Sequence, residues 1–176
     1  LRRLREHGMS LSAADRHAQG GVIIEKYTET GYNYRLTDLQ AGLGIAQLGK
    51  LDEMVKERRK QAKIYRESFE SHPRIINMIS DTSYGLTNFQ SFWIRLDTNQ
   101  SFTRNSVMVD LDNRGITTRR GIMVAHREAA CERFFTSALP VSETLSDSTV
   151  ILPVFHSLTE SDQSQIIEVF LEVLGK

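Results

Sequence analysis

Two stretches carry side chains whose types and spacing could do chemistry. In "GYNYRLTDLQ", residues 31–40, the Asn33 amide and the Arg35 guanidinium stand just ahead of a helix start. A helix N-terminus offers unpaired N–H groups and partial positive charge, so these donors together could hold an anion such as a phosphate. The same residues also read as a glycine turn leading into a capped helix, and spacing does not separate the two accounts. In "TTRRGIMVAH", residues 117–126, the adjacent Arg119 and Arg120 after a short strand point in different directions, and His126 follows a connecting turn. Such a cluster could bind phosphate or carboxylate groups bidentately. Ordinary surface arginines on a solvated loop are an equal reading.

Other reactive residues form no pattern. His7, His17, His72 and His156 are scattered without metal-ligand spacing, so no metal site is expected. His126 and Cys131 lie five apart with no orienting acid close in sequence, which favours a structural thiol over a catalytic one. A single cysteine also excludes an internal disulfide framework. No phosphate-binding glycine loop, zinc signature or nucleophile elbow is present.

The elements that must position these residues come next. At 176 residues the chain has room for one domain with a core, or at most a squeezed pair. Its 22 basic and 22 acidic residues cancel, so no global field draws nucleic acid or an anionic membrane. Binding to nucleic acid through "LRRLREH" or "KERRKQAK" is disfavoured by the neighbouring acids. No apolar run approaches the roughly 18 residues of a membrane span and no signal pattern opens the chain, so a cytoplasmic location is expected. The opening "LRRLREHG" reads as the last turns of a helix with Gly8 at the left-handed C′ position, as if cut from a longer chain.

Residues 9–35 read mostly as loop, apart from "GGVIIEKY", a strand or buried loop. Thr37 and Gln40 have capping-box spacing and open a helix. That helix carries Gly42, Gly44 and Gly49, each costing about 1 kcal/mol in a helix interior. Gly42, Ala46 and Gly49 make a nearly bare stripe, which predicts tight packing against another element or subunit, the alternative being a weak helix with no special contact. A second helix follows, with Leu51, Val55, Ala62, Tyr65 and Phe69 on one face and Pro73 beyond its end. "FQSFWIRLD" reads as a strand, "TRNSVMVDLDNRG" as a helix ending at Gly115, "ITTR" as a short strand, "EAACERFF" as a short helix and "VILP" as a strand. Thr159 caps a last amphipathic helix stopped by Gly175. The order implies an α/β or α+β layer.

The blocks "HGMS", "GYNYRLTDLQAGLGIAQLGKLDEMVKERRKQAKIY", "GITTRRGIMVAH" and "ILPVFHSLTESDQSQIIEVF" occur in the order and spacing of the DegT/DnrJ/StrS family of pyridoxal-phosphate-dependent sugar aminotransferases. The chain resembles that family over nearly its whole length. The resemblance implies an α/β fold, with an α+β small domain, as the C-terminal part of a fold type I aminotransferase. Residues 1–35 would close the large cofactor domain and connecting loop; residues 36–176 would be linking helices and the small domain. It implies pyridoxal phosphate as cofactor, and transfer of an amino group from an amino acid such as glutamate to a nucleotide-linked keto sugar. In a homodimer, Asn33 would reach the cofactor phosphate held by the neighbouring subunit, with Arg35 beside it on the anion-site reading. The segment of Arg119, Arg120 and His126 would border the nucleotide-sugar or amino-donor substrate.

The chain also departs from the family. Ala41 and Gly42 stand where the family commonly has two alanines. The family's Schiff-base lysine lies upstream of "HG", before Leu1, and Lys26, Lys50, Lys56, Lys60, Lys63 and Lys176 lie outside that motif. No catalytic residue is therefore expected in this chain, which alone should not transaminate. The competing reading is a non-catalytic interaction or regulatory module that keeps the small-domain fold.

Overall fold

A computed structural model describes residues 1, 3–10, 26–99, 102–134 and 137–175. They belong to two compact units, Leu1–Leu51 and Asp52–Lys176.

In the smaller unit the opening residues form one turn rather than a helix end. The Arg5 N–H donates to Leu1 O (3.2 Å) and the Gly8 N–H to Arg3 O (2.9 Å). The second bond spans six residues, which puts His7 (φ 62°) at the left-handed C′ position expected for Gly8, and Gly8 (φ 71°) follows it. Residues 26–34 run antiparallel to this segment. The Tyr32 N–H donates to Leu4 O (2.6 Å), His7 N–H to Tyr32 O (3.1 Å), Tyr34 N–H to Arg5 O (3.0 Å) and Thr28 N–H to Gly8 O (3.0 Å). "HGMS" and "GYNYR" are thus two sides of one ribbon. Of "GGVIIEKY", residues 20–25 lie outside the described residues, and Lys26 and Tyr27 join the ribbon.

Helix α1, Asp38–Leu48, starts at the expected capping box. The Gln40 N–H donates to Thr37 Oγ1 (3.3 Å) and the Thr37 N–H to Gln40 Oε1 (2.9 Å). No residue of α1 is buried, and Leu39, Leu43, Ile45 and Leu48 are exposed. A Cβ on Gly42 or Gly44 would meet nothing within 4 Å, so no described residue packs on those two positions. Gly49 is the C-cap with helical φ, not an interior position.

The larger unit is built on a four-stranded antiparallel sheet in the order β1-β2-β4-β3. Its strands are β1 (Ile75–Met78), β2 (Phe92–Leu96), β3 (Arg119–Arg120) and β4 (Thr149–Leu152). Its helices are α2 (Leu51–Phe69), α3 (Arg104–Asp112), α4 (Pro140–Ser148) and α5 (Glu160–Leu174). In β2 the alternation buries Phe92, Ile94 and Leu96 and turns Trp93 and Arg95 to the other face. The core forms where that inner face meets Ala62, Tyr65 and Phe69 of α2, Val107 and Leu111 of α3, and Ile166, Phe170 and Val173 of α5. Tyr65 stacks with Phe69 (centroids 5.8 Å apart), and Phe69 meets Phe170 edge-on (5.1 Å). Helix α4 lies on the other face, where Arg95 lines a cavity with Pro140, Val141, Thr144 and Leu145.

Several expected elements shift. "ITTR" contributes only its last residue to β3, "EAACERFF" gives a 3₁₀ turn at Glu132–Phe134, and α2 ends at Phe69. Strand β1 and helix α4 were not legible. The four residues of β1 carry a bulge between Ile75 and Asn77 that breaks the period-two signal. Helix α4 does show a start signal, Pro140 at its first turn with Glu143 in the same turn.

These packing differences predict unequal costs. Phe69→Ala, with 0% exposure, is expected to cost about 3–5 kcal/mol. Leu43→Ala, 64% exposed, is expected to stay within about 0.5 kcal/mol in this chain alone. Urea unfolding of the two variants checks both values.

Candidate functional site

The ribbon fixes the first candidate segment by backbone contact. At Gly31 a Cβ would come 2.1 Å from Gly8 N and 2.3 Å from the His7 carbonyl carbon, so only a glycine lets the two strands approach this closely. Beyond it the chain is extended, and successive side chains alternate. Tyr32 and Tyr34 stack with ring centroids 5.2 Å apart and planes 8° apart. Asn33 lies between them in sequence, so alternation turns it to the opposite side. Asn33 and Arg35 are both exposed, and neither side chain has a partner among the described residues. The α1 N-terminus is already capped by Thr37 and carries Asp38 in its first turn, which opposes an anion there. The free donors are therefore the Asn33 and Arg35 side chains more than the helix end.

In the larger unit, Arg119 and Arg120 form the edge strand β3 against β4. Arg119 pairs with Ile151 and Arg120 with Val150, so the two side chains leave opposite faces, as their adjacency predicted. Arg119 is exposed and lines a cavity of about 520 Å³ with Gln90, Ser91, Thr117, Thr118 and Phe155. In that wall Thr118 Oγ1 is buried without a hydrogen-bond partner. Arg120 donates instead to Glu128 Oε1 (3.2 Å). The far wall is held by α2, where Tyr65 OH donates to Pro153 O (3.0 Å) and Gln61 Nε2 to Phe155 O (3.0 Å). Burial pushes the Tyr65 phenol well above its ordinary pKa, so it stays a donor. A larger groove of about 630 Å³ beside α2 is lined by Arg59, Lys60 and Lys63. Those charges are met by Asp81, Glu160 and Glu67, which makes it the weaker anion site.

Gly121 sets how β3 leaves the sheet. Its N–H donates to Thr149 O (3.0 Å), and a Cβ would lie 2.2 Å from Thr149 Oγ1 and 2.5 Å from Thr149 Cβ. Past it, His126 sits in a 3₁₀ turn at Ala125–Arg127 with its side chain 8% exposed. His126 Nε2 and Glu143 Oε1 are 2.9 Å apart. This is the orienting acid that sequence proximity did not reveal, because it lies 17 residues on. Glu143 also accepts from Leu139 N–H (2.8 Å) and Arg127 Nη2 (2.9 Å). These three donors, led by the Leu139 N–H, hold its carboxyl down at about 2, against an ordinary value of 4.5. Arg104, 9% exposed, is a further buried cation that sequence reading missed; its Nη1 has no partner, and burial lowers its pKa. Cys131 is half-buried and free.

Arg119, Arg120 and His126 thus follow one another along the chain but engage different neighbours: a cavity, Glu128 and Glu143. Asn33 and Arg35 belong to the other unit.

Solved structures of aminotransferases share this fold. The chain belongs to the DegT/DnrJ/EryC1/StrS aminotransferase family, whose model matches residues 1–171. One similar structure is the aminotransferase TlmJ from Streptoalloteichus hindustanus, at 24% identity and a TM-score of 0.80, covering 99% of this chain and 44% of that one. A second is the putative sugar aminotransferase Spr1654 from Streptococcus pneumoniae in its PMP form, at 20% identity and a TM-score of 0.85, covering 98% and 43%. A third is Helicobacter pylori PseC, an aminotransferase involved in the biosynthesis of pseudoaminic acid, at 20% identity and a TM-score of 0.82, covering 98% and 44%. The chain spans less than half the length of each.

Two outcomes follow from the geometry. Gly121→Ala forces a Cβ into Thr149 and is expected to cost about 1–3 kcal/mol in urea unfolding; a change under about 0.5 kcal/mol contradicts the close approach. The depressed Glu143 carboxyl stabilises the fold fully above its unfolded value of 4.5, and that contribution is lost as pH falls through about 2. Glu143→Gln should therefore flatten the acid limb of the stability profile in that window, as read by thermal melts between pH 5 and pH 2.

Proposed function

We propose that this chain is the C-terminal portion of a pyridoxal-phosphate-dependent aminotransferase that moves an amino group from an amino acid such as glutamate to a nucleotide-linked keto sugar. The observation that carries the reading is the family match over residues 1–171, in a chain that spans only 44% of TlmJ. In this reading residues 1–35 end the large cofactor domain, and residues 36–176 are the linking helices and small domain. The intact protein is a cytoplasmic homodimer.

The residues present fit the phosphate end of the cofactor. Asn33 offers amide N–H donors and Arg35 a guanidinium, both exposed and free of side-chain partners among the described residues. The ribbon bonds at Tyr32 and Tyr34 hold the Asn33 backbone on both sides, so the amide is presented with little freedom to lose on binding. When bound, pyridoxal phosphate supplies the electron-withdrawing ring that stabilises charge at the carbon carrying the amino group. In this reading the chain anchors phosphate through Asn33 and Arg35, the segment of Arg119, Arg120 and His126 borders the substrate, and the Arg119 cavity is open to its anionic parts.

The proton-moving lysine is assigned to a part of the protein outside this chain. A nucleophilic lysine needs a lowered pKa and a desolvated setting. Lys60 has the reverse: the hydrogen bond and charge of Glu160 raise it. Lys63 is paired with Glu67 on the surface of α2. The chain alone is therefore inactive in this reading.

Mixed with pyridoxal phosphate, the chain is expected to give no visible absorbance of lysine-bound cofactor and no borohydride-trapped adduct confined to one lysine in peptide mass spectra. An adduct confined to one lysine, with turnover of a keto sugar nucleotide, overturns the assignment. Reading the coding sequence ahead of Leu1 separates the competing module: a lysine-bearing cofactor domain in frame supports the enzyme, and a start codon there supports a non-catalytic protein.

A further inference from the structure

The segment from Gly121 to Glu128 has little regular structure to hold it. Its backbone bonds are the Gly121 contact to Thr149 and the short-range pairs Arg127 N–H to Val124 O (3.1 Å), Glu128 N–H to Ala125 O (3.1 Å) and Cys131 N–H to Glu128 O (2.8 Å). It nevertheless connects directly to the arginine edge. What fixes it is a set of side chains on one face of α4. Glu143, Ser146 and Asp147 stand at i, i+3 and i+4, the spacing of neighbours on a helix surface. Ser146 Oγ donates to Ile122 O (2.7 Å). Arg127 Nη1 donates to both Asp147 oxygens (2.8 and 3.0 Å), and its Nη2 donates to Glu143 Oε2 (2.9 Å). Glu143 Oε1 meets His126 and also accepts from the Leu139 N–H, so one carboxylate joins the segment to the start of its own helix.

We propose that Glu143 is a positioning residue: with Ser146 and Asp147 it ties residues 121–128 back onto α4 and so fixes Arg119 at its cavity and Arg120 beside Glu128. This rests on the reading that those arginines border an anionic substrate. The geometry makes Glu143 the hub, because it alone of the three contacts two side chains of the segment and a backbone N–H of its own helix start. It is 24% exposed as a side chain, and its carboxyl remains ionised across the working pH range, so its three donors stay engaged. Loss of the carboxylate removes its contacts to His126 and to one end of Arg127 together while leaving the aromatic core untouched.

Glu143→Ala, Glu143→Gln and Arg119→Ala in the whole chain test this by hydrogen exchange and by NMR titration with inorganic pyrophosphate. In Glu143→Ala the bonded amides of Gly121, Arg127 and Glu128 are expected to exchange about tenfold faster, the effect of roughly one lost charge-assisted hydrogen bond, with Ile94 and Val150 unchanged. Glu143→Gln should be intermediate, since its amide oxygen can still accept from Leu139 but its NH₂ cannot accept from Arg127. Pyrophosphate binding should weaken in both Glu143→Ala and Arg119→Ala. Unchanged exchange at those bonded amides, or an equal rise across the core, overturns the positioning role. So does weaker pyrophosphate binding in Arg119→Ala but not in Glu143→Ala. Faster local exchange with wild-type pyrophosphate binding in both variants leaves the tie standing and instead sinks the reading of the arginines as substrate contacts.

Discussion

Burial of Tyr65, Phe69, Phe92 and Phe170 against the inner face of the sheet is the constraint on which the larger unit depends. These four rings, each with 0% exposure, bring α2, β2 and α5 to one point and leave no freedom in how the sheet lies against the helices. Everything near the cavity refers back to that packing. Tyr65 uses its hydroxyl to hold Pro153, just past β4, so the same side chain that fills the core also sets one cavity wall. Gln163 of α5 donates to the Gln61 carbonyl (2.8 Å), and Gln61 in turn holds Phe155. A surface feature is thereby fixed by buried groups, which is how rigid scaffolds present polar sites.

Two close backbone approaches then decide where functional side chains point. Gly31 lies against His7 and Gly8, and Gly121 lies against Thr149. In each case the missing Cβ allows the chain to run beside another segment before it delivers a polar residue, Asn33 in one unit and the Gly121–Glu128 turn in the other. The glycines in α1 have no such neighbour among the described residues. Its apolar side chains are also exposed, so α1 is where the proposed dimer would seat a second body.

The sequence was most informative where local rules govern. Thr37 with Gln40, and Thr159 ahead of α5, were readable as caps because the capping bonds span only three residues. The opposed directions of Arg119 and Arg120 followed from adjacency on a strand. What could not be read was long-range: the pairing of residues 4–10 with 26–34, and the Glu143 contact to His126, have no signature until the fold brings them together. Strand β1 failed for a different reason, since a bulge in four residues erases alternation. The role proposed for Asn33 rests on the ordered family blocks, because an asparagine ahead of a capped helix is chemically ambiguous by itself.

The central claim is that Asn33 anchors a cofactor phosphate in the intact enzyme. The most direct measurement is the ³¹P NMR spectrum of pyridoxal phosphate bound to the full-length protein, compared between wild type and Asn33→Ala. The account predicts a shifted and pH-sensitive phosphate resonance in the variant, because an amide donor to the dianion is lost. A resonance identical to wild type across the titration would contradict it.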